Sequence, residues 1–369
     1  MAGRSIRIIG LASFGFALSL PMLVTTAHAA ACPAPASGVD TATNGVYCVY
    51  VNATSNIGRL AIATGPAHPV PGVNLIYGGS SGTPGTSFNS YKSFGSGTVY
   101  TQGAGSTNLD SAGSPTTSLV GTTGVQTTYT ISTPDSLMIT QLVKVNGTMF
   151  SDSNVEITTT LTNTSTGTPA MLGLRYLLDW QIGADDGPTM TPKTPNGATR
   201  RSETDDKPPT FQYYEITDND LNTPTPLYTV DASALGPLTV TPMPTTPTEL
   251  AFVCWAQSVV SVFDYTVDPT LNNTSAGGCH GSGGSGGDDS AQLYWWGRDT
   301  TSALVLAPGG SITERALLFA TTPGGPPPFQ IPEAVWVPGL GLAGGAVAAG
   351  GFIFRRREAR RQKRLISGS

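Results

Sequence analysis

The nine residues NVEITTTLT, Asn154 to Thr162, alternate strictly: Val155, Ile157, Thr159 and Leu161 fall on one side, and Asn154, Glu156, Thr158 and Thr160 on the other. Successive side chains of a strand point to opposite faces, so a period of two predicts a half-buried β-strand. Upstream, GVQTTYTIS (Gly124 to Ser132) and LMITQLVKV (Leu137 to Val145) flank the turn signal Pro134-Asp135 and read as two strands in tight connection. Asn146-Gly147 supplies the turn into NVEITTTLT. Near the end, SALVLAPGGSITERALLFATT (Ser302 to Thr322) predicts another hairpin about Pro308-Gly309-Gly310.

MLGLRYLLDW, Met171 to Trp180, is apolar on both faces and reads as a central strand. Its two charges, Arg175 and Asp179, point to the same side but lie about 13 Å apart at roughly 3.3 Å per residue, so each needs another partner. No stretch of the body sustains a 3.6-residue apolar period over a helical length. The fold class is therefore all-β, a large antiparallel β-sandwich with sheets packed face to face. Proline, glycine and charge mark Thr191 to Thr210 and Asn272 to Ser290 as surface loops.

The two ends of the chain carry a different signal. Arg4 and Arg7 precede an apolar run from Ile8 to Val24, and the small-residue site Ala27-His28-Ala29 follows, so residues 1–29 read as a cleaved signal peptide. Ala29 stands where a lipoprotein signal carries a larger aliphatic residue, three positions before Cys32. Residues 30–322 form the all-β ectodomain, and 323–333 a proline- and glycine-rich stalk whose prolines favour polyproline II. From Ala334 to Phe354 no residue is charged, and at about 1.5 Å rise per residue that stretch reaches roughly 30 Å, the thickness of a hydrocarbon core. A basic tail, 355–369, follows with Arg355, Arg356, Arg357, Arg360 and Arg361, which the positive-inside rule keeps in the cytoplasm. The expected location is the cell surface, with the ectodomain outside and membrane lipid around the C-terminal helix.

Ile331-Pro332-Glu333, the apolar span and the arginine cluster together resemble the tripartite C-terminal sorting signals of bacterial surface proteins, the PEP-CTERM and LPXTG types among them. The resemblance is confined to the tail, and the short motif departs from both patterns. It implies that a sorting transpeptidase is a partner, cutting near Pro332.

With two of nineteen basic residues in the signal and seven in the tail, ten remain against twenty-two acidic residues between Ala30 and Pro332, a net charge near −12. Such a surface repels phosphate backbones and argues against nucleic-acid binding. Cys32, Cys48, Cys254 and Cys279 are all exported, which makes two disulfides the default, with sequence-local pairing favoured among three connectivities.

Asp179, Asp185 and Asp186 of LLDWQIGADDGP, joined by Asp218 and Asp220 of TDND, are the candidate ligands for calcium, which takes six to eight oxygens on flexible loops. No other cofactor is expected. Trp180, Trp255, Trp295, Trp296, Tyr213 and Tyr214 would stack on sugar rings where exposed; adjacent Trp295 and Trp296 must face opposite sides of a strand, one of them free to be exposed. Two G-x-S-x-G matches, at Gly78 and Gly283, lie in glycine-serine loops without the helix a nucleophile elbow requires, so no catalytic constellation is expected. The expected role is that of an exported, anchored or sorted surface protein, structural or adhesive, recognising a glycan or surface-protein ligand. A secreted carbohydrate-binding or carbohydrate-active sandwich is the alternative.

Overall fold

A computed structural model describes residues 31–102, 107–194, 197–217, 229–234, 243–273, 279 and 289–321. The segments expected to be signal peptide, stalk, sorting motif, membrane span and basic tail lie outside these residues. Among the described residues no helix is long and apolar enough to cross a membrane.

The chain runs through β1 (Val39–Thr43), β2 (Tyr47–Asn52), β3 (Leu60–Thr64), β4 (Asn74–Ile76), β5 (Phe88–Ser93), β6 (Val99–Thr101), β7 (Thr107–Asn108) and a four-residue helix α1 (Leu109–Ala112). Then come β8 (Thr116–Val120), β9 (Gly124–Ile131), β10 (Leu137–Asn146), β11 (Asn154–Asn163), β12 (Ala170–Asp179), β13 (Thr189–Pro192), β14 (Thr204–Asp206) and β15 (Tyr213–Thr217). The last elements are β16 (Thr229–Ser233), β17 (Glu249–Cys254), α2 (Trp255–Ser258), β18 (Ser290–Trp296), β19 (Leu304–Leu306) and β20 (Ser311–Thr321). One large sheet is ordered β13-β15-β16-β20-β11-β10-β9-β8, and a second β14-β17-β18-β12-β5-β6-β7 with β19 beside β12. A four-stranded sheet, β1-β2-β3-β4, completes the body. Apart from the short parallel pair β6 and β7, every pairing is antiparallel.

The period of two is realised as a core face. On β10, Leu137, Ile139, Val143 and Val145 are buried while their alternates are half-exposed. Val155, Ile157 and Leu161 of β11 join them, and Leu174, Tyr176, Leu178, Tyr294 and Trp296 of the second large sheet share the same apolar cluster. Tyr294 and Trp296, two residues apart on one face of β18, stack with ring centroids 5.6 Å apart. The polar face of β11 is more covered than alternation alone predicts, because Arg315 of β20 donates from Nε to Glu156 Oε1 at 2.6 Å and from Nη1 to the Met243 carbonyl, drawing residues 243–248 over it.

Buried between the strands is one polar layer. Asn89 Nδ2 and Gln102 Nε2 both donate to Gln141 Oε1, at 3.0 and 2.6 Å, and Gln141 Nε2 donates to the Gly58 carbonyl at 2.8 Å. A buried network of this kind favours one strand register, since a slip would break these amide pairings.

β12 is central, with β18 and β5 on its flanks, and both of its faces are covered. Leu174, Tyr176 and Leu178 face the main core; Leu177 belongs to a second cluster with Phe88, Leu293, Trp295 and Phe263. Residues 255–267 supply the lid of that cluster, which buries Trp295 as fully as Trp296; the expectation that one of the pair is exposed is overturned. Arg175, on the lidded face, is fully buried and donates from Nη1 to the Ser261 carbonyl. Desolvation pushes its guanidinium down to about 9, with Asp264 opposing and Arg298 adding to the drop.

Two further expectations are corrected. β19 and β20 do not form a hairpin: Leu304–Leu306 pairs with β12, while Ser311–Thr321 pairs with β11 and β16 of the other large sheet. The turn forms as read, with Gly310 N bonded to the Ala307 carbonyl at 2.8 Å, but it carries the chain between sheets and is held by Asn163, whose carbonyl accepts from Gly309 N. Thr191 to Thr210 is not wholly loop either, because β13 ends in it and Thr204–Asp206 pairs with β17 as an edge strand.

Disulfides join Cys32 to Cys48 and Cys254 to Cys279. The first ties the segment before β1 to β2; the second ties the end of β17 to Cys279, whose carbonyl accepts from Asp289 N at 3.0 Å.

Candidate functional site

At the edge where β12 ends and β18 begins, three carboxylates converge. Asp179 is the last residue of β12, and the pairing of Asp179 with Ala291 brings Asp289, just ahead of β18, alongside it. Asp186 arrives from the connection after β12, and its carbonyl accepts from Ser290 N at 3.0 Å. One carboxylate oxygen from each of Asp179, Asp186 and Asp289 lies within 4.8 Å of the other two.

The connection is shaped by its own sequence. Ile182 and Asp185 exchange both backbone hydrogen bonds, and Gly183 takes φ 67°, a left-handed conformation for which glycine carries no Cβ penalty. Asp185 Oδ1 accepts from Gly187 N at 3.0 Å, an aspartate turn that occupies this carboxylate locally and leaves Asp186 to face β18. Asn74 of β4 anchors the same segment, its carbonyl accepting from Gly183 N and its Nδ2 donating to Gln181 Oε1. Asn273 Nδ2 donates to the Gly187 and Pro188 carbonyls at 2.9 and 3.1 Å, closing the far side.

The electrostatics are those of desolvated like charges. Asp179 is 2% exposed, and burial followed by the Asp289 charge holds its carboxyl well above the usual range, with Thr86 pulling down and Asp186 pushing up. Burial raises Asp186 to about 6, and burial followed by the Asp186 charge raises Asp289 to about 7. Oδ1 of each of the three is buried without a hydrogen-bond partner among the described residues. None of the three takes part in an ion pair there.

Of the five aspartates expected as cation ligands, the structure brings together Asp179 and Asp186. Asp185 is not among the three that converge, its Oδ1 accepting from Gly187 N, and Asp218 and Asp220 lie outside the described residues. Asp289 was missed, because its place beside Asp179 comes from a strand pairing across more than a hundred residues. The one available signal was an aspartate directly ahead of the apolar run SAQLYWW.

A cleft of about 430 Å³ adjoins the carboxylates, lined by Arg59, Gly85, Thr86, Phe88, Trp255, Val259 and Val260. It shares a wall with them: Thr86 favours the charged form of Asp179, and Trp255 N donates to the Asp289 carbonyl at 3.2 Å. Arg59 lies 5.5 Å over the Phe88 ring, with Nε donating to the Gln102 carbonyl at 2.7 Å. Trp255 is half-buried, whereas Trp180, Trp295, Trp296, Tyr213 and Tyr214 are buried in the core. Of the aromatic residues singled out for sugar stacking, Trp255 is thus the one with an accessible face. A second cleft, about 560 Å³, is lined by Arg200, Asp206 and Phe211 among others, but Arg200 is already paired with Asp206 and stacked 5.6 Å over Phe211.

His68 is 3% exposed, its Nδ1 accepts from Val70 N, and its ring packs on Tyr47 and Phe150, which marks it as a packing residue. Gly78 to Gly82, the described G-x-S-x-G match, forms a turn with no helix after it.

No family model matches the chain, and no curated protein matches it. Among solved structures it is similar to a putative aldose 1-epimerase from Escherichia coli K12, with TM-score 0.45 and 11% identity over 77% of this chain and 99% of that one. It is also similar to a galactose mutarotase related enzyme from Lactobacillus acidophilus, with TM-score 0.39 and 8% identity over 77% and 97% of the two chains. A galactose mutarotase-like protein from Clostridium acetobutylicum follows, with TM-score 0.37 and 9% identity over 75% and 93%. At such scores the likeness assigns no function to this chain.

Proposed function

We propose that this chain is an exported protein, held at the cell surface, whose β-sandwich binds carbohydrate in the cleft at Trp255. The observation that carries the reading is the composition of that cleft: the half-buried Trp255 indole, the apolar side chains of Val259 and Val260 and the Arg59 guanidinium around a pocket of about 430 Å³. A sugar ring offers an apolar C–H face for an aromatic ring to cover and hydroxyls for the surrounding polar groups, the mix of surfaces that small-molecule sites present. Export is supported by the signal-like N-terminus and by two disulfides, which persist in oxidising compartments. Retention at the surface is supported by the apolar span and arginine cluster near the C-terminus. The purified full-length chain on a glycan array tests the reading: selective binding is expected, and a silent array would refute it.

A second reading, adhesion through protein contacts, is favoured by β8. This strand pairs with β9 on one side, and its Leu119 and Val120 are 56% and 40% exposed, an open edge of the kind other strands add to. Leu119→Lys would abolish binding to a protein partner in that case and leave glycan binding untouched.

A further inference from the structure

We infer that Asp179, Asp186 and Asp289 form a binding site for a divalent cation, calcium by preference, at the junction of β12 and β18. Three segments far apart in sequence deliver these carboxylates, so their meeting is a product of the fold and not of one acidic run. Asp179 is 2% and Asp289 7% exposed, Oδ1 of each is buried without a hydrogen-bond partner among the described residues, and each gives one carboxylate oxygen to the cluster.

Buried carboxylates of like sign do not persist unpaired; they take up protons or a cation. The geometry fits a cation. Ligand oxygens at about 2.3–2.6 Å from one calcium ion stand up to about 5 Å apart, and the three oxygens here all lie within 4.8 Å of one another. Oxygen donors alone suit a hard ion; zinc and other softer metals favour the nitrogen and sulfur ligands this group lacks. Burial of Asp179 and Asp289 excludes a sugar-sized group from between them, so the site is separate from the Trp255 cleft in occupant although it shares a wall with it.

The position explains what such an ion would do. It would tie the end of β12, the 182–187 connection and the start of β18 into one unit, next to the Cys254–Cys279 disulfide. The inference does not depend on carbohydrate binding.

The test is calorimetric titration of the full-length chain, freed of metal with chelator, with calcium, magnesium and manganese chlorides separately, together with thermal unfolding at each concentration. A saturable heat with calcium and a rising Tm are expected, with magnesium weaker. Asp186→Asn, at the half-exposed rim, should weaken calcium binding at least tenfold while leaving Tm in chelator undiminished. No heat and no rise in Tm with any of the three up to about 10 mM, well above the dissociation constants of weak extracellular calcium modules, overturns the inference. Unchanged calcium binding in Asp186→Asn, or preference for magnesium, overturns it as well.

Discussion

Asp289→Asn, studied in chelator, isolates the energetic cost of packing the carboxylates together. Burial and the neighbouring Asp186 charge raise the Asp289 carboxyl from an ordinary 3.8 to about 7, so the native state binds this proton more tightly than the unfolded chain. Stability from this group is then full below the unfolded value near 3.8 and is lost as pH rises through about 7. The difference of roughly three units converts to a penalty of up to about 4 kcal/mol at pH 8, where the native site must carry the charge. Asparagine keeps the shape and removes the charge. Urea unfolding of both proteins from pH 5 to 8 should show the wild type losing stability as pH rises, and the variant more stable than it at pH 8 with a shallower slope. Glu314, which burial raises to about 7, contributes to both proteins alike, so their difference reports Asp289 together with the repulsion it exerts on Asp179. Equal stability at pH 8, or parallel pH profiles, would show that the three carboxylates are not desolvated together and would refute the reasoning.

Gly147→Ala should cost about 1–3 kcal/mol in urea unfolding, because this residue has φ 84° and an added Cβ would stand 2.5 Å from the Asp152 carbonyl oxygen, closing the β10–β11 connection against it. Replacing Cys254 and Cys279 by serine removes a link across 25 residues and should lower stability by about 3 kcal/mol under oxidising conditions, with no change for the parent's fold in circular dichroism. Intact-mass measurement of protein recovered from the cell surface should show a chain that begins near Ala30, and either ends near Pro332, as processing requires, or keeps the full tail, as a retained helix requires; a chain with its first 29 residues intact would contradict export by a cleaved signal.

The strands that sequence patterning located are those whose signal is local. β9, β10 and β11 carry clean alternation between turn signals, and the doubly apolar MLGLRYLLDW became a central strand with both faces covered. What sequence could not supply was partner choice. The Pro308-Gly309-Gly310 turn was legible, yet its two arms enter different sheets, because turn chemistry fixes the reversal and not the neighbour each arm pairs with. The same gap hid the carboxylate site. Asp179 and Asp186 were visible as an acidic cluster near a strand end, whereas Asp289 joins them through the β12–β18 register, and Asp185, whose Oδ1 accepts from Gly187 N, does not converge with them. Likewise the lid of residues 255–267, apolar but without a regular period, decided that Trp295 is buried and Trp255 half-open.

The most direct measurement is equilibrium binding of one panel of oligosaccharides to the wild-type chain and to Trp255→Ala, side by side at fixed calcium. Loss of a central tryptophan contact is worth about 2 kcal/mol, so the wild type should bind at least one glycan saturably and the variant roughly thirtyfold more weakly, with its unfolding transition preserved. No binding to any glycan, or the same affinity in both proteins, would contradict a carbohydrate site in this cleft.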